Sequence, residues 1–210
     1  DHFRPIDKRK GETLIANAMN NGSEIAKGFC TFRGWGGLEK NSTDAFDIFM
    51  NVASSEENPN SFAMIGYMFK IGLGPKKCKD MEEAIKWLKK AVSCNHSWAQ
   101  CMMAYCIQEG EGIKKDETTA LNLYLESGKL GYSKAMYNLG ELYHYGSQFI
   151  KVNKKKALYW YTLAAQQGHD RARFKVDNGE FEGRKKKKEN DGKGKHRKAK
   201  RGSQIYYGEQ

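Results

Sequence analysis

The feature that most constrains this chain is its internal period. Gly34, Gly72, Gly110, Gly146 and Gly183 follow one another at intervals of 38, 38, 36 and 37 residues. Six residues before each of the first four stands another small residue: Gly28, Gly66, Ala104 and Gly140. Two residues after each of the first three comes a further glycine, at Gly36, Gly74 and Gly112, and the fourth copy has Gln148 in that place. A fixed period between 20 and 50 residues excludes most compact folds and points to a solenoid of stacked repeats.

Each copy contains two helical patterns. Ala45, Ala84, Ala120 and Ala157 are followed at three and four positions by Ile48/Phe49, Trp87/Leu88, Leu123/Tyr124 and Trp160/Tyr161. At seven and eight come Val52/Ala53, Ala91/Val92, Ser127/Gly128 and Ala164/Ala165. These offsets trace one helix face on which small and large side chains alternate. Four residues before each alanine stand Asn41, Asp80, Asp116 and Asn153, residue types that cap helix N-termini. Glu83 is placed to complete a capping box with Asp80. Gly131, Gly168 and Asn95 are placed to close helices through a left-handed residue, whereas Glu56 breaks that rule and Pro59 is read as the stop.

The earlier helix of each copy is clearest over 133–145, where Ala135, Leu139 and Tyr143 recur every fourth residue. Its counterparts are Ser61, Ile65 and Phe69, then Ala99, Met103 and Ile107. Gly66, Ala104 and Gly140 directly follow the large residue, so they let the two helices of a copy approach closely. Each copy therefore reads as helix, glycine turn, capped helix, and neither helix can bury its stripe alone.

The runs Leu139-Gly140-Glu141-Leu142-Tyr143-His144-Tyr145-Gly146 and Ala157-Leu158-Tyr159-Trp160-Tyr161-Thr162-Leu163-Ala164-Ala165-Gln166-Gln167-Gly168 resemble the signature of the Sel-1-like repeat family, and Gly110 to Asp116 resembles its connecting turn. The related tetratricopeptide repeat has 34 residues and lacks this Gly-x-Gly turn. The resemblance implies an all-α fold, a right-handed α-α superhelix of antiparallel helix pairs. It covers residues 24–183 as four repeats and a C-terminal capping half repeat, in which Asp177 and Glu180 take apolar slots. Residues 1–23 then hold a partial helix, the remnant of a preceding repeat, with Thr13 to Gly22 as its visible part. The resemblance also implies an adaptor or scaffold that binds peptides or proteins on a concave surface, in settings such as protein degradation, signalling or bacterial host interaction.

A candidate binding strip follows from helical geometry, since positions two before, one after and five after each small residue share a face. They include Met64 and Tyr67, Met102 and Tyr105, and Asn138, Glu141 and Tyr145, with Ile71 and Glu109 on the same lines. Met and Tyr are adaptable contact residues when exposed. The alternative is that these side chains pack one repeat on the next.

Composition sets the remaining bounds. Of the formal net charge of +11, residues 184–210 carry +8, from eleven Lys/Arg against Glu189, Asp191 and Glu209. Their only apolar side chains are Ala199, Ile205, Tyr206 and Tyr207, too few to offset the entropy of ordering, so a disordered basic tail is expected. Arg184, Lys185, Lys186, Lys187 and Lys188 form one basic cluster, and Arg197, Lys198, Lys200 and Arg201 a second. That layout resembles a bipartite nuclear localisation signal, and a polybasic strip also binds nucleic acid or anionic lipid. It leaves open an alternative function, a nuclear or nucleic-acid-associated protein acting through its tail, as well as a merely solvating tail.

No apolar run approaches the roughly 20 residues of a membrane-spanning helix. The chain starts at Asp1 with no leader pattern, as expected of a processed chain or an excised segment. Five cysteines without regular spacing argue against a disulfide framework and for a reducing, cytoplasmic setting, with the nucleus as the tail's alternative. Cys94, His96, Cys101 and Cys106 fit no structural zinc spacing, since the last two lie about 140° apart on one helix. No metal or cofactor is expected, and the five scattered histidines join no catalytic motif, so no enzymatic activity is expected either.

Overall fold

A computed structural model describes residues 8–178. Ten helices follow one another in it: α1 (Lys8–Asn20), α2 (Glu24–Arg33), α3 (Ser42–Ser55), α4 (Pro59–Ile71), α5 (Met81–Ser93), α6 (Ser97–Glu109), α7 (Glu117–Lys129), α8 (Ser133–Tyr145), α9 (Lys154–Gln166) and α10 (Asp170–Asp177). The basic clusters at 184–188 and 197–201, and the Glu180 and Gly183 positions of the terminal half copy, lie outside the described residues.

Helices α3, α5, α7 and α9 begin where side chains satisfy their first amides. Asn41 accepts from the amides of Thr43 and Asp44, Asp80 from Glu83, Asp116 from Thr118 and Thr119, and Asn153 from Lys156. Two expectations fail. The Asp80 amide donates to the Phe69 carbonyl at 3.1 Å, so it is not open to a reciprocal capping box, and the Glu83 carboxylate pairs with Lys86 at 2.9 Å. Pro59 is not a stop but the first residue of α4, where its missing amide costs nothing. The first three turns open on a left-handed glycine with φ of 75° at Gly34, 80° at Gly72 and 77° at Gly110. Gly146 instead has φ 67° and ψ −178°, and this turn runs on through Phe149 and Ile150, as fits a copy without the second glycine.

The helices pack as antiparallel pairs α2/α3, α4/α5, α6/α7 and α8/α9, and each pair leans less extensively on the next. Within a pair the contact is set by a small residue facing a large one. A Cβ at Gly28 would lie 2.7 Å from Phe49, one at Gly66 2.9 Å from Leu88, and one at Gly140 2.5 Å from Tyr161. The facing residues are the fourth-position members of the capped-helix stripe, and Phe49, Leu88, Tyr124 and Tyr161 are all fully buried. Ala45, Ala84, Ala120 and Ala157 are buried beside them.

The core is continuous along the stack. A cluster around Phe49 and Ile65 shares Ala53, Tyr67, Trp87 and Trp98 with a cluster around Leu88 and Met103, and Leu123 joins that to a third around Leu139 and Tyr161. The ends are thinner. α1 packs on α2, and α10 on α9, each through the between-pair type of contact.

Candidate functional site

The first helices of the pairs, α2, α4, α6, α8 and α10, carry the positions of the sequence-derived strip. Burial divides that strip. Met64, Met102 and Asn138 are only 2%, 1% and 3% exposed, and Asn138 Nδ2 donates to the Cys101 sulfur at 3.9 Å. These three are interior packing groups, and the expectation that they line a surface is corrected. The reason is geometric: each first helix is flanked by its own partner and by neighbouring pairs, so the position two before the small residue turns inward.

The positions one and five after the small residue stay at the surface. Tyr67 is half-buried, with its ring edge-on to Phe32 at 6.3 Å and 5.5 Å from Trp98. Tyr105 is half-buried under the Lys70 ammonium, 5.1 Å from the ring centre, while Lys70 also pairs with Glu111. Burial, then Glu111 and Glu109, pushes the Tyr105 phenol up, so it remains a neutral donor. Tyr145 is 58% exposed. Its ring stacks on His144 at 4.5 Å, and its hydroxyl accepts from Lys175 at 3.2 Å. Ile71 and Glu109 are exposed on the same face.

Glu141 is the polar centre of the C-terminal half. It accepts from the buried Tyr161 hydroxyl and pairs with Lys175 of α10 at 3.0 Å, and both charged side chains are mostly covered. Burial, then the carboxylate of Glu141, pushes the Tyr161 phenol far up. Burial opposes the charge on Lys175, but Glu141 and Tyr145 more than offset it and hold the ammonium above its ordinary range. Lys175 stands in α10 where Met64, Met102 and Asn138 stand in the earlier first helices. The last contact between pairs is thus an ion pair in a position that is apolar at Met64 and Met102.

Sequence reasoning missed Trp98, Tyr137 and His169. Tyr137 stacks on His169 at 4.5 Å and lies 5.6 Å from Tyr161. Stepping four residues back from Met102 reaches Trp98, the signal that extending the helix face would have used. His169 and His96 carry no such signal: each caps the helix after it, its Nδ1 accepting from Ala172 or Ala99.

What the surface can do chemically is bind. Half-buried aromatic rings, an exposed Tyr and Ile, and paired charges at the edges suit an apolar segment with polar ends. Cys101 and Cys106 are buried, and burial pushes their thiols up to about 12 and about 11, which keeps them protonated packing groups. Among the described residues no three His, Cys, Asp or Glu groups stand close enough to share a metal ion, and no helix is long and apolar enough to cross a membrane.

Comparison with known proteins fits this geometry. Chitin synthase regulatory factor 2 of Schizosaccharomyces pombe is 28% identical over 131 residues, covering 61% of this chain and 26% of that protein. Chitin synthase regulator SKT5 of Saccharomyces cerevisiae is 26% identical over 177 residues, 79% of this chain and 25% of the relative. The chain therefore spans about a quarter of the length of these curated relatives. Among solved structures, a Sel1 repeat protein from Oxalobacter formigenes superimposes with a TM-score of 0.66 at 29% identity, over 74% of this chain and 61% of that one. A protective antigen from uropathogenic Escherichia coli with an SLR fold gives 0.65 at 24% identity, over 80% and 36%, and shows the shared fold. The Sel1 repeat pattern itself matches residues 63–96, 99–132 and 133–169, the three spans in which a glycine turn joins two helices whose stripes interlock. With half its length matched in register with its helix pairs, the chain belongs to the Sel1 repeat family.

Proposed function

We propose that this chain is a non-enzymatic adaptor that holds a segment of another protein along its row of first helices. The observation that carries the reading is the line of rings from Phe32 through Tyr67 to Trp98, which crosses three successive first helices while Tyr67 and Trp98 keep part of their surface open. Such a line offers apolar area at low entropic cost, because aromatic side chains have few torsions to fix. Tyr105, Glu141 and Tyr145 extend it toward α10 and supply a hydroxyl and paired charges at its far end. Two relatives named as chitin synthase regulators support a role exerted through contact with other proteins.

The test is selection of short random peptides on the immobilised protein, followed by titration against variants. Tyr67→Ser and Tyr145→Ser are expected to weaken the selected peptides about tenfold or more, roughly 1.4 kcal/mol. Tyr159→Ser, at an exposed tyrosine on the second-helix side, is expected to leave them unchanged. Peptides that bind all three variants equally well would place recognition elsewhere.

A further inference from the structure

The turn between α8 and α9 points apolar side chains outward. Ser147 folds it: its hydroxyl oxygen accepts from the amides of Phe149 and Ile150 at 3.3 and 3.2 Å, and its own amide donates to the Ile150 carbonyl at 2.8 Å. The Asn153 amide closes the far end on the Tyr143 carbonyl at 2.7 Å. Ile150 is the anchor, 6% exposed in the core, and its neighbours are turned the other way. Phe149 is 68% and Val152 56% exposed, with Lys151 exposed between them and Lys154 and Lys155 exposed just beyond. From Leu142 to His169 the chain holds four lysines and no Asp or Glu. The fourth lysine, Lys156, leans back over the Tyr143 ring. The tip of such a turn stays open when another turn follows it. A Cβ at Gly112 would lie 2.6 Å from Met81, so the third turn meets the second copy at the start of α5. Lys76, Lys77 and Lys79, just ahead of Met81, remain exposed all the same.

We infer that the turn between α8 and α9 docks on an anionic lipid surface, with Phe149 and Val152 entering the headgroup boundary and Lys151, Lys154 and Lys155 facing the lipid phosphates and carboxylates. Charge complementarity selects an anionic partner, because the segment has no carboxylate of its own to neutralise these lysines. Shape selects a bilayer over a folded protein. Phe149 and Val152 stand on a projecting turn, and a lipid interface accepts projecting apolar groups at any point, whereas a protein would need a matching pocket. The rest of the edge suits a plane. Every turn joins the end of a first helix to the start of a second, so in a stack of antiparallel pairs the turns line one edge. Lys76, Lys77, Lys79, Lys114 and Lys115 are exposed in the two turns before it, where Asp80 and Asp116 are engaged by helix amides. A flat anionic surface meets these cations together. This edge is separate from the first-helix row, and the inference does not depend on that row binding anything.

Co-sedimentation of the whole chain with vesicles of phosphatidylcholine alone, or of phosphatidylcholine and phosphatidylserine in equal parts, tests this. The variants lie at exposed positions, circular dichroism verifies their fold, and all keep residues 184–210, so whatever the basic clusters there add is common to every arm. The wild type is expected to bind the mixed vesicles and not the neutral ones. Phe149→Ser is expected to bind them about tenfold more weakly, and Lys155→Glu about fivefold or more. Lys129→Glu, the same change of charge at the other end of a second helix, is expected to bind as the wild type does. A wild type left in solution, a Phe149→Ser variant that binds as tightly as the wild type, or equal losses from Lys155→Glu and Lys129→Glu would each overturn the inference. So would binding to polyglutamate that Phe149→Ser weakens, with no binding to vesicles, which would assign the turn to an acidic protein.

Discussion

A single methyl group measures how closely the helices of a pair approach. At Gly140 it would sit 2.5 Å from the Tyr161 ring, which is buried and has its hydroxyl bonded to Glu141, so the ring has little room to retreat. Overpacking of this kind costs about 1–3 kcal/mol, and the better helix propensity of Ala returns up to roughly 1 kcal/mol. Gly140→Ala is therefore expected to lower the urea midpoint, with a net loss of about 1–2 kcal/mol. The same slot in α6 is already Ala104, facing the buried Tyr124, so the cost belongs to the closer approach of α8 and α9 and not to the slot or to the ring type. A second residue-scale prediction concerns His169. Its Nδ1 accepts the Ala172 amide at 3.3 Å, a bond that only an unprotonated nitrogen can make. Burial, then Lys134 and Arg171, pulls its pKa from 6.5 to about 4. Because the folded value is the lower one, the unfolded chain binds the extra proton first. Stability from this group is full above about pH 6.5 and is lost as pH falls toward about 4. Melting temperatures across that window should fall more for the wild type than for His169→Asn, which keeps a capping acceptor that does not titrate.

At the scale of elements, the helix starts can be weighed one at a time. Three lysines, Lys154, Lys155 and Lys156, crowd the first turn of α9, where the helix dipole disfavours cations. Asn153 caps that turn, its side-chain oxygen accepting the Lys156 amide at 3.0 Å. Asn153→Ala should cost about 1 kcal/mol, while Asn153→Asp should be neutral or gain about 0.3–1 kcal/mol, and chemical denaturation separates the two. These second-helix caps were legible in the sequence because Asn and Asp are typical caps and recur in phase with the alanine stripe. The His96 and His169 caps were not, since a histidine more often does something else. The pairing of helices was legible from the small residue that follows each large one at Gly66, Ala104 and Gly140. The surface strip was only half legible. Met64 and Tyr67 are three residues apart and lie within about 60° of each other on the helix, so spacing alone groups them. Only the third dimension shows that the boundary between core and surface runs between them, because a helix inside a stack is covered on more than one side.

At the scale of the whole molecule, the main contacts of each pair among the described residues are with its neighbours, so stability is a chain of local terms and a defect at one end stays near that end. The Glu141 to Lys175 pair makes this testable, since it ties α10, the shortest helix, to α8 through charges that are mostly shielded from water. Glu141→Gln keeps the size and an acceptor for Tyr161 but removes the carboxylate that pairs with the mostly covered Lys175. The loss should be about 1–3 kcal/mol, felt first as opening of α10. Amide exchange at 172–176 is then expected to quicken roughly 5- to 150-fold, while the amides of α4 to α7 keep their protection. Lys175→Met should restore slow exchange when combined with Glu141→Tyr, because that pair rebuilds the ring and thioether found at Tyr67 and Met102. Faster exchange throughout the stack on Glu141→Gln would mean that the repeats unfold as one cooperative block, and that neighbour contacts alone do not describe how this solenoid is held.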